Sequence, residues 1–451
     1  MGVVIETDVW EANQALYIFI FFSCFLSIVC LPHFSSNSNR TPAIFDHALP
    51  PAFLRFQRSF LLLCSLSSVL EGLWSVFGES ELAYYGVSKE QIVLSLCVGY
   101  AVSLFIGPFL GIVSDLRGHK KVCLLFYILH LLVGIWKRII AHPSVWLASV
   151  CLSLATSISL FNFETWMVVE HDKLGLRQDT LNDMFWLMTF AEATSFIGSQ
   201  VLANWLVGSD AEKLMVFPST AAMLLALFSI IYVTQRWKEY PRTATFKDYR
   251  TSFCTYIFGD KRIWLLAWAQ ACVQFSIMVF WILWAPTIVA DGREIVLGLI
   301  YPCLLGARML GSTAFPWFSN GPLSFRTEDC LLYVFIMMGF VLSIVAYDYQ
   351  EIGVLVTVFC LFHACMGLVL PSLARLRTMY VPNEIRGGMI SLSLAPANAA
   401  VLFFLVQGGY YRNIGNSTIL AFAALGLFSA AGCMHLLKQW GKQIHQNWRK
   451  L

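Results

Sequence analysis

The chain has 451 residues, of which 58% are hydrophobic and only 13% charged. A soluble globular protein carries nearer a quarter charged residues, so the composition excludes a soluble enzyme and places the chain in a lipid bilayer. The net charge of +3 is uninformative as a total, and its distribution along the chain matters more.

The first apolar run lies at about 14–31. Met1–Ala12 contains Glu6, Asp8 and Glu11 but no Lys or Arg, the wrong sign for a signal peptide. Glu6 also breaks the myristoylation pattern after Gly2. A retained helix with its N-terminus outside is expected, ending at Pro32 and followed by a polar linker over Ser35–Pro51. Apolar runs of span length then recur at about 58–78, 91–113, 122–140, 145–167, 182–206 and 214–235. A polar, basic connector follows, and six more runs lie at about 262–285, 294–315, 330–347, 351–373, 386–408 and 416–437. Each is long enough to cross a core of about 30 Å. The division is an N-terminal helix and linker (1–57), a six-helix bundle (58–235), a connector (236–261), a second six-helix bundle (262–437) and a tail (438–451). Paired six-helix halves are a transporter layout.

Orientation follows from Lys and Arg. With the 32–58 linker inside, the inner segments carry 23 of the 30 basic residues, the outer segments 6, and Arg308 lies within a run. This predicts an outside N-terminus and a cytosolic C-terminus. The Asn39-Arg40-Thr41 glycosylation sequon is then cytosolic, and glycosylation at Asn39 would contradict the orientation. The 13 cysteines are scattered, mostly in apolar runs, with no C-x-x-C and no Cys/His cluster at metal spacing. No disulfide framework, metal site or cofactor is expected, and no nucleic-acid partner.

Between the second and third runs stands Gly111-Ile112-Val113-Ser114-Asp115-Leu116-Arg117-Gly118-His119-Lys120-Lys121. So polar a stretch cannot cross a bilayer core and predicts a tight surface loop. It is either an ordinary basic loop or a cytosolic gate built from Gly111, Asp115, Arg117, Gly118, Lys120 and Lys121. Its G-x-x-x-D-x-x-G pattern resembles the corresponding loop of the major facilitator superfamily. Further motifs are Phe53-Leu54-Arg55-Phe56-Gln57, Phe163-Glu164-Thr165-Trp166 with Glu170-His171, Leu283-Trp284-Ala285-Pro286, and Pro382-Asn383-Glu384-Ile385-Arg386-Gly387 with Pro396 and Asn398 beyond. Together they resemble the molybdate-anion transporter family of that superfamily, over roughly 53–408. Two departures stand out. Leu394 takes the place of a family Arg two residues before Pro396, and Arg308 stands where a small or apolar residue is expected.

The resemblance implies that the first, fourth, seventh and tenth runs line a central cavity, and that the second, fifth, eighth and eleventh flank the seam. An ionisable residue at mid-span costs about 2.5–3.5 kcal/mol and so needs a partner, water or neutralisation. Glu71 matches a family acid and is either a proton-coupling carboxylate or a hydrogen-bonded packing acid. Glu164 is either a cavity carboxylate or a latch paired with a loop base such as Lys173 or Arg117. Arg308 offers a permanent planar fork suited to oxyanions. It either binds the anion or pairs with Glu192 across the seam. Gln270 and Gln274 share a helix face and suit either anion binding or interhelical packing. His363 at mid-span is a relay or a packed histidine, and Asn398 beside Pro396 marks a bend that can line a cavity.

The expected fold is therefore an all-α multi-pass membrane protein of the major facilitator type, two six-helix bundles plus an extra N-terminal helix. The expected function is secondary transport of molybdate by alternating access, with proton coupling through Glu71 or Glu164 as one reading. A monomer in the plasma membrane is expected. A carrier of another small solute, such as a sugar or organic anion, and a non-transporting receptor or scaffold are the alternatives. No G-x-x-x-x-G-K-[ST] motif is present, so direct drive by ATP is not expected, nor is an enzyme.

Overall fold

A computed structural model describes residues 15, 18–20, 22–24, 51–84, 86–139, 145–207, 211–238, 245–289, 297–320, 325–347 and 351–448. The expected linker and its Asn39 sequon lie outside these residues, as does most of the expected N-terminal span. The described residues are almost all helical, with no strand among them. The helices are α1 (Pro51–Tyr84), α2 (Lys89–Arg117), α3 (His119–Ile139), α4 (Val145–Lys173), α5 (Gln178–Val207), α6 (Ala211–Arg236), α7 (Phe246–Gly259), α8 (Lys261–Ile288), α9 (Leu297–Asn320), α10 (Thr327–Ala346), α11 (Ile352–Tyr380), α12 (Arg386–Ser393), α13 (Ala395–Phe404) and α14 (Asn416–Trp448). Each of the twelve runs after the linker coincides with a helix or, for 386–408, with a broken one. Among the described residues, ten segments are long and apolar enough to cross a membrane.

The helices outrun the apolar runs. α4 and α11 each have 29 residues, about 43 Å at 1.5 Å per residue. This exceeds a core of about 30 Å. The surplus turns carry polar residues on helical faces, so Glu170, Lys173 and Arg377 are placed by helix geometry. The expected loop at 111–121 is corrected for the same reason. α2 continues to Arg117 and α3 starts at His119, leaving Gly118 alone as the turn, with φ +103°. Only glycine adopts that conformation without strain. The connector is not wholly loop either. Thr245 and Asp248 form a capping box that starts α7.

By their contacts the residues group into two compact units. One comprises Pro42–Ala271 and Leu373–Asn413; the other comprises Met1–Thr41, Cys272–Ser372 and Ile414–Leu451. In the first, α2 and α4 cross closely on small residues. Ser149 Oγ donates to the Ser95 carbonyl at 2.6 Å, and Ser157 Oγ donates to Ser103 Oγ at 2.9 Å. A Cβ on Gly99 would collide with Ser153 Oγ. Small residues at every fourth position bring membrane helices close, which apolar burial between lipid and protein cannot do. The aromatic core of this unit includes Phe53, Phe56, Phe60, Phe126, Phe161 and Trp166.

In the second unit, α9 and α11 touch backbone to backbone. A Cβ on Gly367 would collide with the Arg308 carbonyl, and one on Gly311 with the Ala364 carbonyl. Ser276 Oγ on α8 donates to the Ala423 carbonyl of α14 at 3.0 Å. Cys24 Sγ donates to the Gly306 carbonyl at 3.2 Å, so the described part of the N-terminal segment packs on α9.

Candidate functional site

The polar side chains of the first unit converge on two knots. The first centres on Asp115, which is 2% exposed. Its carboxylate accepts the backbone N–H of Gly387 at 3.0 Å and of Gly388 at 2.8 Å, in the first turn of α12. It also accepts the Tyr249 hydroxyl of α7 at 3.1 Å. A helix start presents unpaired donors and the positive end of the helix dipole, so an acid placed there is held strongly. Burial, and then the adjacent Asp115, push the Tyr249 hydroxyl well above its ordinary pKa, so Tyr249 stays a neutral donor.

Glycine makes this approach possible. A Cβ on Gly111 would overlap Ser391 Oγ and lie 2.5 Å from the Gly387 carbonyl, and one on Gly388 would overlap the Tyr249 hydroxyl. Gly111 is therefore a helix–helix contact and not a turn residue. Gly111→Ala is expected to cost about 1–3 kcal/mol in this contact and to lower transport about tenfold or more. Uptake normalised to surface protein measures it, and normal uptake would remove the contact from the transport cycle.

The turn itself is stapled to α4. Ser114 Oγ donates to Asn162 Oδ1 at 2.8 Å and lies 2.7 Å from His119 Nδ1, and Asn162 Nδ2 donates to the His119 carbonyl at 3.2 Å. Lys120 Nζ donates to the Thr234 carbonyl at 3.3 Å and to the Trp237 carbonyl, so it closes the end of α6. Arg117 and Lys121 are exposed, while Gly118 is buried.

The second knot centres on Arg377 of α11, 7% exposed. Nε and Nη2 both donate to the Glu164 carboxylate, the first at 2.8 Å, and Nη1 donates to Gln270 Oε1 at 2.8 Å. Glu164 is thus paired, but with Arg377 and not with Lys173 or Arg117. Lys173 sits one turn from Glu170 and binds it at 2.6 Å. Around this knot, Asn383 Nδ2 donates to Asp172 at 3.1 Å, and Gln178 Nε2 donates to Thr378 Oγ1 at 3.3 Å. Arg386 is 1% exposed, and its Nη2 donates to the Val381 carbonyl at 3.0 Å.

The remaining candidates are more dispersed. Glu71 is half-buried and accepts Ser159 Oγ of α4 at 2.8 Å. Glu192 is half-buried and within electrostatic reach of Glu71. In the second unit Arg308 and His363 share the close α9–α11 crossing, and the two are electrostatic neighbours. Arg308 is 4% exposed, and His363 is wholly buried against Phe280, Trp281 and Phe362. Gln274 is half-buried on α8. Asn398 is buried just past the break at Leu394, where α12 ends and α13 begins with Pro396 in its first turn. A π-helical turn over Leu405–Tyr410 interrupts the same span again.

A family model described as sugar transporters with 12 transmembrane segments matches residues 16–392. The chain belongs to the major facilitator superfamily. Among curated proteins it is similar to the molybdate-anion transporter of Xenopus laevis. The two are 22% identical over 417 residues, covering 88% of this chain and 90% of the relative. Among solved structures it is similar to a bacterial homologue of the iron transporter ferroportin in an outward-facing state, with a TM-score of 0.64 and 14% identity over 85% of this chain and 99% of the other. It is likewise similar to the E. coli fucose:proton symporter, with a TM-score of 0.65 and 12% identity over 85% and 99%. The major facilitator fold of a multi-pass membrane protein, expected from the sequence, is thereby established.

Two residues of the two knots, Tyr249 and Arg377, escape a reading of the sequence alone, and Arg386 enters it only as part of the Pro382–Gly387 motif, with no role. Both arginines count as positive charge of a surface segment when the tenth run is ended at 373. A helix continued to Tyr380 turns Arg377 inward. The Thr245–Asp248 capping pair is the signal for α7, and hence for Tyr249.

Proposed function

We propose that this chain is a secondary transporter carrying the molybdate oxyanion across a membrane by alternating access, and that the two knots are its closed cytosolic gate. The interlocking of Asp115 with α12 and of Arg377 with Glu164 carries the gate reading. These contacts tie helices of the first six-run half to α11 and α12 of the second, and they must part for solute to pass. The basic residues clustered at this end support its assignment to the cytosol. The molybdate assignment rests on the likeness to curated molybdate-anion transporters. Candidate residues for substrate binding and coupling are Glu71, Gln270, Gln274, Arg308, His363 and Asn398.

A sugar is the second reading, favoured by the description of the matching family. The buried guanidiniums argue for the anion. A neutral sugar needs no permanent cation in its path, whereas a tetrahedral oxyanion needs donors and positive charge. Cells expressing the chain should accumulate labelled molybdate well above vector controls, and excess tungstate should suppress that uptake more than glucose does. No accumulation above vector would remove molybdate as substrate. Suppression by sugar alone would favour the second reading.

A further inference from the structure

We propose that Arg377 and Arg386 together form a release site for a tetrahedral dianion at the gated end, masked in this state by Glu164. The inference deepens the transport reading above and rests on it. Its first support is Arg386. This guanidinium is 1% exposed, yet Nε and Nη1 make no hydrogen bond. A guanidinium offers five N–H donors in a fixed fork, and leaving them unmet in the interior is costly. The carboxylates within its electrostatic reach are Asp115, Glu164 and Asp172. Asp115 accepts Gly387, Gly388 and Tyr249; Glu164 accepts Arg377; Asp172 accepts Asn383. The Arg386 donors are therefore held ready for an acceptor this state does not supply.

The second support is the geometry at Arg377. Two parallel donors grip both oxygens of the Glu164 carboxylate. The edge of a tetrahedral oxyanion presents two oxygens in a similar way, so Glu164 occupies the place such an anion would take. Arg377 and Arg386 are electrostatic neighbours. Once Glu164 lets go, two cations face a ligand of two negative charges.

Space completes the argument. Beside Arg377 lies a cavity of about 20 Å³, lined also by Gln270, Met389, Ile390 and Ser393. That volume holds about one water and is too small for a tetrahedral oxyanion. Anion arrival and opening of the Glu164–Arg377 pair are therefore coupled: the anion replaces the carboxylate on the fork as the gate parts.

The test is binding of labelled molybdate to the purified full-length protein. Glu164→Gln removes the internal competitor and should tighten molybdate about tenfold. Adding Arg386→Gln or Arg377→Gln to that variant should return the affinity to the wild-type value or below. Tungstate should compete in Glu164→Gln, and the planar monoanion nitrate should not. Unchanged or weakened affinity in Glu164→Gln, or a gain that survives Arg386→Gln, overturns the site. Should Glu164→Gln not fold, Arg386→Gln in the otherwise native chain decides. It should lower the maximal uptake rate several-fold with little change in KM from the opposite face, and an unchanged rate overturns the proposal. If molybdate neither binds nor enters with the wild-type chain, the molybdate reading fails by itself. The release site then stands only if Glu164→Gln tightens sulfate or phosphate.

Discussion

Asp115→Ala should lower transport by a factor of a hundred or more while leaving the order of preference among solutes unchanged. The carboxylate is buried and accepts two backbone N–H groups and one hydroxyl. Alanine leaves the Gly387 and Gly388 donors and the Tyr249 hydroxyl without that acceptor at the start of α12. A buried donor left unmet costs about 1–3 kcal/mol, so losing the set costs the closed gate about 3–5 kcal/mol. At 1.4 kcal/mol per tenfold, that shifts the closed population by about two to three orders of magnitude. The order of preference is expected to hold because Asp115 accepts only the Gly387 and Gly388 N–H groups and the Tyr249 hydroxyl among its described hydrogen bonds, and an acid beside Arg386 acts on every dianion alike. Initial uptake rates for molybdate, tungstate and sulfate, with surface protein quantified, read both halves of the prediction. A variant that reorders the anions would place Asp115 in substrate recognition. Tyr249→Phe removes only the third donor and should fall between the variant and the wild type.

How much of this was open to inspection in the sequence depends on what each feature needs from the chain. Helix positions and the fold class follow from the apolar runs, because the bilayer forces the backbone to satisfy itself within helices. Asp115 and the start of α12 were also legible, since the glycine spacing and the Pro382–Gly387 motif mark them. The loop reading of 111–121 failed because one glycine suffices to turn the chain, and polar residues tolerate helix once it clears the core. Gly111 belongs with Ser95, Gly99, Ser103 and Gly107, a small residue at each fourth position. That period of four points to close helix packing and not to a turn. The partner of Glu164 was out of reach for another reason. Lys173 is a near neighbour along the chain, whereas Arg377 is 213 positions away. Position along the sequence says nothing about which of the two a carboxylate meets when helices distant in the chain pack together.

Glu71→Gln should abolish uptake driven by a pH gradient while leaving the protein at the surface. Glu71 lies in α1 and is half-buried, with Ser159 Oγ as its hydrogen-bond donor and Glu192 as an electrostatic neighbour. An acid with one neutral donor and a second carboxylate nearby is a place where a proton can be taken up and given back. Glutamine matches its shape, and its carbonyl can still accept Ser159, so packing and folding are preserved; what disappears is titration. A difference of one pH unit is worth about 1.4 kcal/mol per coupled proton, about tenfold in accumulation. Wild-type proteoliposomes given an inward proton gradient should therefore accumulate molybdate about tenfold or more above the equilibrated control. Glu71→Gln should show no response to the gradient, yet still exchange labelled for unlabelled molybdate when both sides hold the anion. Exchange without accumulation separates loss of coupling from loss of binding. Full gradient-driven uptake by Glu71→Gln would assign Glu71 to packing against α4 and leave Glu164, the partner of Arg377, as the remaining candidate for the coupling acid.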